Sequence, residues 1–117
     1  MPVIRPETTD DHHAIRAVHR AAFAQEEEAR LVDQLRDGGY ARVSLVAEQD
    51  GQVVGHILLS DLPIDTETGT VQALCLAPVA VLPAQQRRGI GSELIRRSLE
   101  AARTAGHRIA IVLGHAE

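Results

Sequence analysis

The run Gln86-Arg87-Arg88-Gly89-Ile90-Gly91-Ser92 sets two glycines one residue apart behind two arginines, at the mouth of an amphipathic stretch. That combination suits anion binding. Backbone N–H groups at the start of a helix have no intrahelical partner and carry partial positive charge. Gly89 and Gly91 leave those donors uncovered, and Arg87 and Arg88 add charge-assisted contacts for a diphosphate. Three phosphate-binding patterns compete here. A P-loop needs a lysine after its second glycine, and the chain has no lysine. The dinucleotide pattern G-x-G-x-x-G fails, because Leu94 stands where the third glycine belongs. The pattern Q/R-x-x-G-x-G/A, placed between a strand and a helix, is met at every fixed position. The plainer alternative is a strand-to-helix turn without a ligand.

Several elements must position this loop. Val3 and Ile4 suggest a short strand stopped by Pro6. Residues 8–23 predict a helix capped by Thr8 or Thr9, with Ile15, Val18 and Ala22 as its apolar stripe. Residues 26–37 predict a second helix with Leu31, Val32 and Leu35 inward, stopped by Gly38 and Gly39. Asp50-Gly51 between two β-rich runs is a strong hairpin signal. Residues 64–70 predict a polar loop. Residues 71–83 predict a long apolar strand, with a bulge or splay near Pro78 because proline donates nothing to a ladder. The helix after the glycine loop turns Ile95, Leu99 and Ala102 to the core, aided by Leu94 and Ala105. It carries a Glu93–Arg97 pair and ends at Gly106. Residues 108–114 predict a last buried strand. The expected order is β-α-α-β-β-β-α-β, an α/β (α+β) mixed sheet with helices on both faces. At this length residues 1–117 are expected to be one domain or less than one.

Composition narrows the function. The net charge is −4, which argues against nucleic acid. All twelve cations are arginine. Residues 1–82 carry six Arg against thirteen acids, and residues 83–117 carry six Arg against three, so the basic excess surrounds the glycine loop. No apolar run approaches the roughly 18 residues of a membrane span, and the start lacks a secretory pattern. The lone Cys75 excludes an internal disulfide framework and reads as a small core residue. A cytoplasmic protein without membrane or nucleic-acid partners is expected. His12 and His13 are expected in solvent, and His19, His107 and His115 show no metal-ligand spacing, so no metal is expected.

The run "LAPVAVLPAQQRRGIGSELI", with a strand before it and a helix and strand after, resembles the acetyl-CoA motif of the GNAT superfamily of N-acetyltransferases. "RPETTDDHHAIRAVHRAAF" resembles the family opening, and "DGQVVGHILLS" its second and third strands, so the resemblance covers the whole chain. It implies a GNAT-like acyl-CoA N-acyltransferase fold lacking the usual final helix and two strands, and acetyl-CoA as co-substrate. It implies acetyl transfer to a primary amine, small molecule or protein, by direct attack. Pantetheine would lie in a wedge beside Val79 and Val81. An N–H near Ala80 or Val81 would polarise the thioester carbonyl, and residues 86–92 would hold the diphosphate.

The catalytic pair is open. Glu28, in the Glu26–Glu28 run that the family places near the acceptor, is one candidate base; a solvated first turn is the alternative. His56 is the other, against an ordinary hydrogen-bonded sheet histidine. The family's acid is often a tyrosine after the fifth strand, whereas Tyr40, the sole tyrosine, is expected to be an ordinary partly buried residue. A non-catalytic acyl-CoA-binding or assembly module is therefore the alternative function, and a generic nucleotide-binding domain a third. An uncovered fifth strand would favour a homodimer or an assembly with exchanged elements.

Overall fold

The nearly unbroken apolar runs of the central strands demand two covered faces, and the helices supply both covers. The structure, a computed structural model, describes residues 2–107 and 110–112. Its elements are β1 (Val3–Pro6), α1 (His12–Phe23), α2 (Glu27–Asp37), β2 (Ala41–Gln49), β3 (Gln52–Thr66), β4 (Gly69–Val81), α3 (Ile90–Thr104) and β5 (Ala110–Val112). One sheet runs β1-β2-β3-β4-β5. The first four strands are antiparallel, and β5 lies parallel to β4. The expected element order and mixed sheet are observed.

Successive strand residues point to opposite faces, and the cores divide accordingly. Leu45, Ala47, Ile57, Leu59, Leu74 and Leu76 pack with Ile90, Leu94 and Ala102 of α3. Val46, Leu58 and Ala80 pack with Ile15 and Val18 of α1 and Val32 of α2 on the other face. The β2–β3 turn has Asp50 and Gly51 at φ 53° and 78°, the positive values that a tight hairpin turn of primed type requires. At the start of α1, a single 3-10 turn spans Thr9–Asp11, and the Thr8 N–H and hydroxyl both donate to Asp11 Oδ2, at 2.6 and 3.1 Å. Arg5 grips the same carboxylate at 2.8 and 3.0 Å, which ties β1 to the helix entrance.

Four expectations need correction. Residues 64–70 are not a loop: Ile64 pairs with Val71, Asp65 with Thr70 and Thr66 with Gly69, so β3 and β4 continue to a two-residue tip. Polar side chains do not stop a ladder whose backbone partners are present, and a Thr70-to-Asp65 hydrogen bond of 3.0 Å joins the strands there. Leu31 is 40% exposed; α2 buries Ala29 and Val32 instead. Leu99 is 37% exposed, and Ala105, the C-cap of α3, is exposed as well, because α3 turns Ile90, Leu94, Ser98 and Ala102 inward. Glu93 pairs with Arg96 rather than Arg97, and Arg96 also reaches Glu100.

The irregularity expected at Pro78 is present. Ile57 faces Val79 but Leu59 faces Leu76, so β4 carries one extra residue across Ala77-Pro78, where the peptide bond is cis. The described β4–β5 pairing runs from Leu74↔Ala110 to Leu76↔Val112. Whether the strands splay beyond it, and how the rest of residues 108–114 is arranged, lies outside the described residues, as does His115.

Candidate active site

The glycine loop follows β4 after Leu82 and a 3-10 turn over Pro83–Gln85. The Gln86 side-chain amide donates to the Val81 carbonyl at 3.0 Å, fastening the loop to the end of the strand. Arg87 then takes a left-handed φ of 66° and Gly89 a φ of 83° as the N-cap of α3. A left-handed non-glycine residue costs about 1–3 kcal/mol and is held only where its surroundings fix it. The result bares the first-turn N–H groups of Ile90, Gly91 and Ser92. A Cβ on Gly89 would meet nothing within 4 Å, and one on Gly91 only Val81 Cγ2 at 3.8 Å. The mouth of α3 is therefore open, which is what a diphosphate needs. Arg87, Arg88 and Ser92 are exposed around it, and Arg88 Nη1 donates to Gln85 at 3.2 Å. Ile90 sends its side chain into the core, so only its backbone faces outward.

Upstream, Val79 is half-buried, whereas Ala80 and Val81 are buried. On the β3 side these residues pair with Ile57, His56 and Gly55. Gly55 matters here: a Cβ would come within 3.1 Å of Leu94 Cδ1 and 3.3 Å of the Ala80 carbonyl. Glycine thus lets α3 close down onto the strand that leads to the loop.

His56 heads a buried polar chain on the α1 side of the sheet. Its Nε2 lies 2.7 Å from Ser44 Oγ, and its Nδ1 lies 2.9 Å from His19 Nε2. Ser44 donates to Glu7 Oε1, and Arg36 holds both Glu7 oxygens, at 2.9 and 3.0 Å. His12 lies 2.9 Å from Glu7 Oε2. One element supplies each member: the end of β1 gives Glu7, α1 His12 and His19, α2 Arg36, β2 Ser44 and β3 His56. His19 and His56 are fully buried, stacked edge to face with centroids 5.1 Å apart. Burial would raise the Glu7 carboxyl, but the His56 ring 3.5 Å from Oε1, together with the hydrogen bonds from Arg36 and Ser44, outweighs it and holds the group well below the usual carboxylate range.

That fixed charge sets every proton in the chain. Ionised Glu7 only accepts, so the Ser44 hydroxyl donates to it and must accept from His56 Nε2–H. His56 Nδ1 is then bare and accepts from His19 Nε2–H. His19 Nδ1 is left as a bare, buried nitrogen without a partner among the described residues. Burial, then the neighbouring His56 and Arg36, pull His19 down to about 3, and burial likewise lowers His56, so both rings are neutral at pH 7.

The other candidates fall elsewhere. Glu28 is half-buried, and its carboxylate takes hydrogen bonds from Gln25 at 3.0 and 3.2 Å on the surface, not from the buried chain. His12 is half-buried against Glu7 rather than in solvent, because the 3-10 turn swings it over the β1 end; His13 is exposed. Tyr40 is 53% exposed between α2 and β2. Cys75 is half-buried, and burial raises its thiol. Among the described residues no three His, Cys, Asp or Glu side chains gather as a metal site, and no helix is long and apolar enough to cross a membrane. Sequence reasoning missed His19, Ser44, Glu7 and Arg36. The available signal was Ser44, a polar residue on a strand face otherwise filled by Val46.

A family model for the acetyltransferase (GNAT) domain matches residues 3–116. The chain belongs to the GNAT acetyltransferase family. Within that family it is 40% identical over 108 residues to YjhQ of Escherichia coli K12, an uncharacterized N-acetyltransferase, with 91% of this chain and 60% of YjhQ covered. It is 33% identical over 113 residues to YhbS of the same organism, covering 96% of this chain and 66% of that one. The GNAT chain thus spans about 60% of the length of YjhQ and 66% of YhbS. A Brucella melitensis GNAT acetyltransferase solved with acetyl-CoA superposes with a TM-score of 0.91 at 41% identity, over 99% of this chain and 77% of that one. YhbS solved with CoA superposes with a TM-score of 0.86 at 32% identity, over 97% and 62%.

Proposed function

We propose that this GNAT chain binds acetyl-CoA at the α3 mouth and serves acetyl transfer to a primary amine by direct attack. The observation that carries the reading is the loop itself. Left-handed Arg87 and Gly89 bare three helix amides beside two arginines, at the end of a bulged strand. The likeness to the Brucella protein solved with acetyl-CoA supports the same ligand. Backbone N–H groups of residues 90–92 would hold the diphosphate, with Arg87 and Arg88 adding charge. Backbone groups of Val79 and Val81 would align pantetheine, and an N–H at Ala80 or Val81 would meet the developing oxyanion. The thioester, when bound, supplies the activated acyl group. Gln86 acts as the anchor of the loop, since its amide is engaged by Val81. The acceptor, a small molecule or a protein amine, and a cytoplasmic setting belong to the same proposal.

Calorimetric titration with acetyl-CoA tests the reading. Gly91→Val places branched carbons before the amides and is expected to weaken binding at least ~10-fold, about 1.4 kcal/mol. Gly91→Ala should bind nearly as wild type, because its Cβ has room. Equal affinity of wild type and Gly91→Val would remove the assignment. In a second series, Arg87→Ala and Arg88→Ala should weaken CoA but not pantetheine, which lacks the charges. The difference should shrink with salt, since exposed charges are screened within about 8 Å at physiological ionic strength. Equal losses for both ligands would assign the arginines to folding.

A second reading, binding without turnover, is favoured by the position of Tyr40. The only tyrosine of these 117 residues is exposed between α2 and β2. An acetylation assay with a panel of amines separates the two readings.

A further inference from the structure

The two ends of β4 carry opposite charges. Past Ser60, where the β2 pairing stops, and before Leu74, where the described β5 pairing starts, β3 and β4 run on together as a two-stranded arm over residues 61–72. The arm holds three acids, Asp61, Asp65 and Glu67, and no arginine. Asp61 is paired with Arg42. Asp65 and Glu67 are exposed at the tip and meet no cation among the described residues; Asp65 accepts from Thr70. The other end of β4 leads to Arg87 and Arg88, exposed beside the open amides of α3, with Arg88 reaching Gln85. The 13 residues of β4, at about 3.3 Å each, set tip and loop roughly 40 Å apart.

The arm is also amphipathic. Leu62, Ile64 and Val71 share one face, since Ile64 pairs with Val71 and Leu62 lies two residues along. Val71 is exposed, Leu62 and Ile64 are half-buried, and none of the three joins either core. The outer β3 edge of the arm is closed to a further strand. The Asp61 N–H is spent on the Tyr40 carbonyl at 2.9 Å, and Pro63, next on that edge, has no N–H. What the arm offers a partner is therefore side chains, an apolar stripe that ends in two carboxylates. The loop end of β4 offers the complement, two guanidinium groups next to half-buried Val79 and Leu82.

We propose that the arm of a second copy docks on the glycine loop, so that the ligand-free chain pairs with itself and acetyl-CoA takes the pair apart. A carboxylate suits a helix N-terminus as a phosphate does. Charge selects the orientation. Acid and base sit at opposite ends of one strand, so two copies lying antiparallel about a two-fold axis bring each tip to the other's loop, and both contacts form at once. A parallel pair would set tip against tip and loop against loop. Each contact places Asp65 and Glu67 of one copy against Arg87 and Arg88 of the other, with the Leu62, Ile64 and Val71 stripe laid toward Val79 and Leu82. Acetyl-CoA would bring its diphosphate to the same arginines and amides, and its pantetheine to Val79 and Val81, so ligand and arm exclude one another. The competition rests on the acetyl-CoA reading above; the docking rests on the charges and the stripe.

Sedimentation of the ligand-free chain at low salt, over a wide range of concentration, is expected to show a monomer–dimer equilibrium. Asp65→Asn with Glu67→Gln alters only exposed side chains at the tip and should weaken the dimer at least ~10-fold, since exposed ion pairs are lost at both contacts. Raising the salt should weaken the wild-type dimer in the same direction. Arg87→Glu with Arg88→Glu should stop self-pairing, and so should Asp65→Arg with Glu67→Arg. Mixing these two variants should restore a dimer, because their exchanged charges complement each other. Acetyl-CoA at matched ionic strength should leave the wild type monomeric. A wild type that is monomeric at every concentration, or a dimer of unchanged affinity in the Asn/Gln variant, overturns the docking. A dimer that needs the carboxylates yet persists at acetyl-CoA levels that saturate the Asn/Gln variant by calorimetry overturns the competition. A dimer that needs the carboxylates, with no acetyl-CoA bound by that variant, overturns the functional reading and the competition with it, and leaves the docking standing.

Discussion

Acidification from pH 7 to pH 4 is expected to cost the fold roughly 3 kcal/mol through His19 alone. The unfolded imidazole titrates near 6.5 and the buried one at about 3, so below 6.5 the unfolded chain gains a proton the native state refuses. Each pH unit across that gap removes about 1.4 kcal/mol. His56, lowered in the same direction by burial, adds to the loss over the same range. Below about pH 4.5 the lowered carboxyls of Glu7 and Asp11 extend it, since their unfolded forms protonate first. All four groups act with one sign, so stability should be flat between about pH 7 and pH 8 and fall steadily beneath that range. Urea midpoints at pH 7.5, 5.5 and 4 check this; equal midpoints at 7.5 and 4 would mean the histidines are not buried neutral.

Leu94→Ala should cost about 2–5 kcal/mol, while Leu99→Ala should cost less than about 1 kcal/mol. Leu94 is fully buried against the sheet, and Leu99 is 37% exposed. Thermal or urea unfolding of the two variants, side by side, reads the difference directly; similar losses would place the stripe of α3 between them.

That contrast shows where the sequence could and could not be read. Two helical stripes fit residues 90–105 almost equally well, and composition favours the one through Ile95 and Leu99. The observed stripe passes through Ser98, which is buried because its hydroxyl donates to the Ile95 carbonyl at 2.9 Å within the helix. A serine that satisfies itself locally passes for a surface residue in any hydropathy pattern. Local signals were legible for the same reason that this one was not. Asp50-Gly51 and Gly106 announce their turns through φ values of 53°, 78° and 93° that few other residues adopt. The loop at residues 86–91 was readable because its chemistry is contiguous. The buried chain was not, because its members come from five elements, and only the packing of α1 and α2 on β2 and β3 brings Glu7, His12, His19, Arg36, Ser44 and His56 together. His56 alone stood out as a candidate; its partners had no spacing to betray them.

Among the described residues the exposed ion pairs, from Arg5 with Asp11 to Arg96 between Glu93 and Glu100, are made by guanidinium groups, with histidine approaching a carboxylate only at Glu7. No lysine occurs anywhere in the chain. Guanidinium holds its proton at any physiological pH and is a poor nucleophile, whereas an ammonium releases a reactive amine. Under the proposed acetyl-transfer reading, these 117 residues offer no side-chain amine of their own as an acceptor. The expected consequence is that the arginines of the basic loop keep their charge in the presence of an activated thioester, where lysines in their place would be open to acylation.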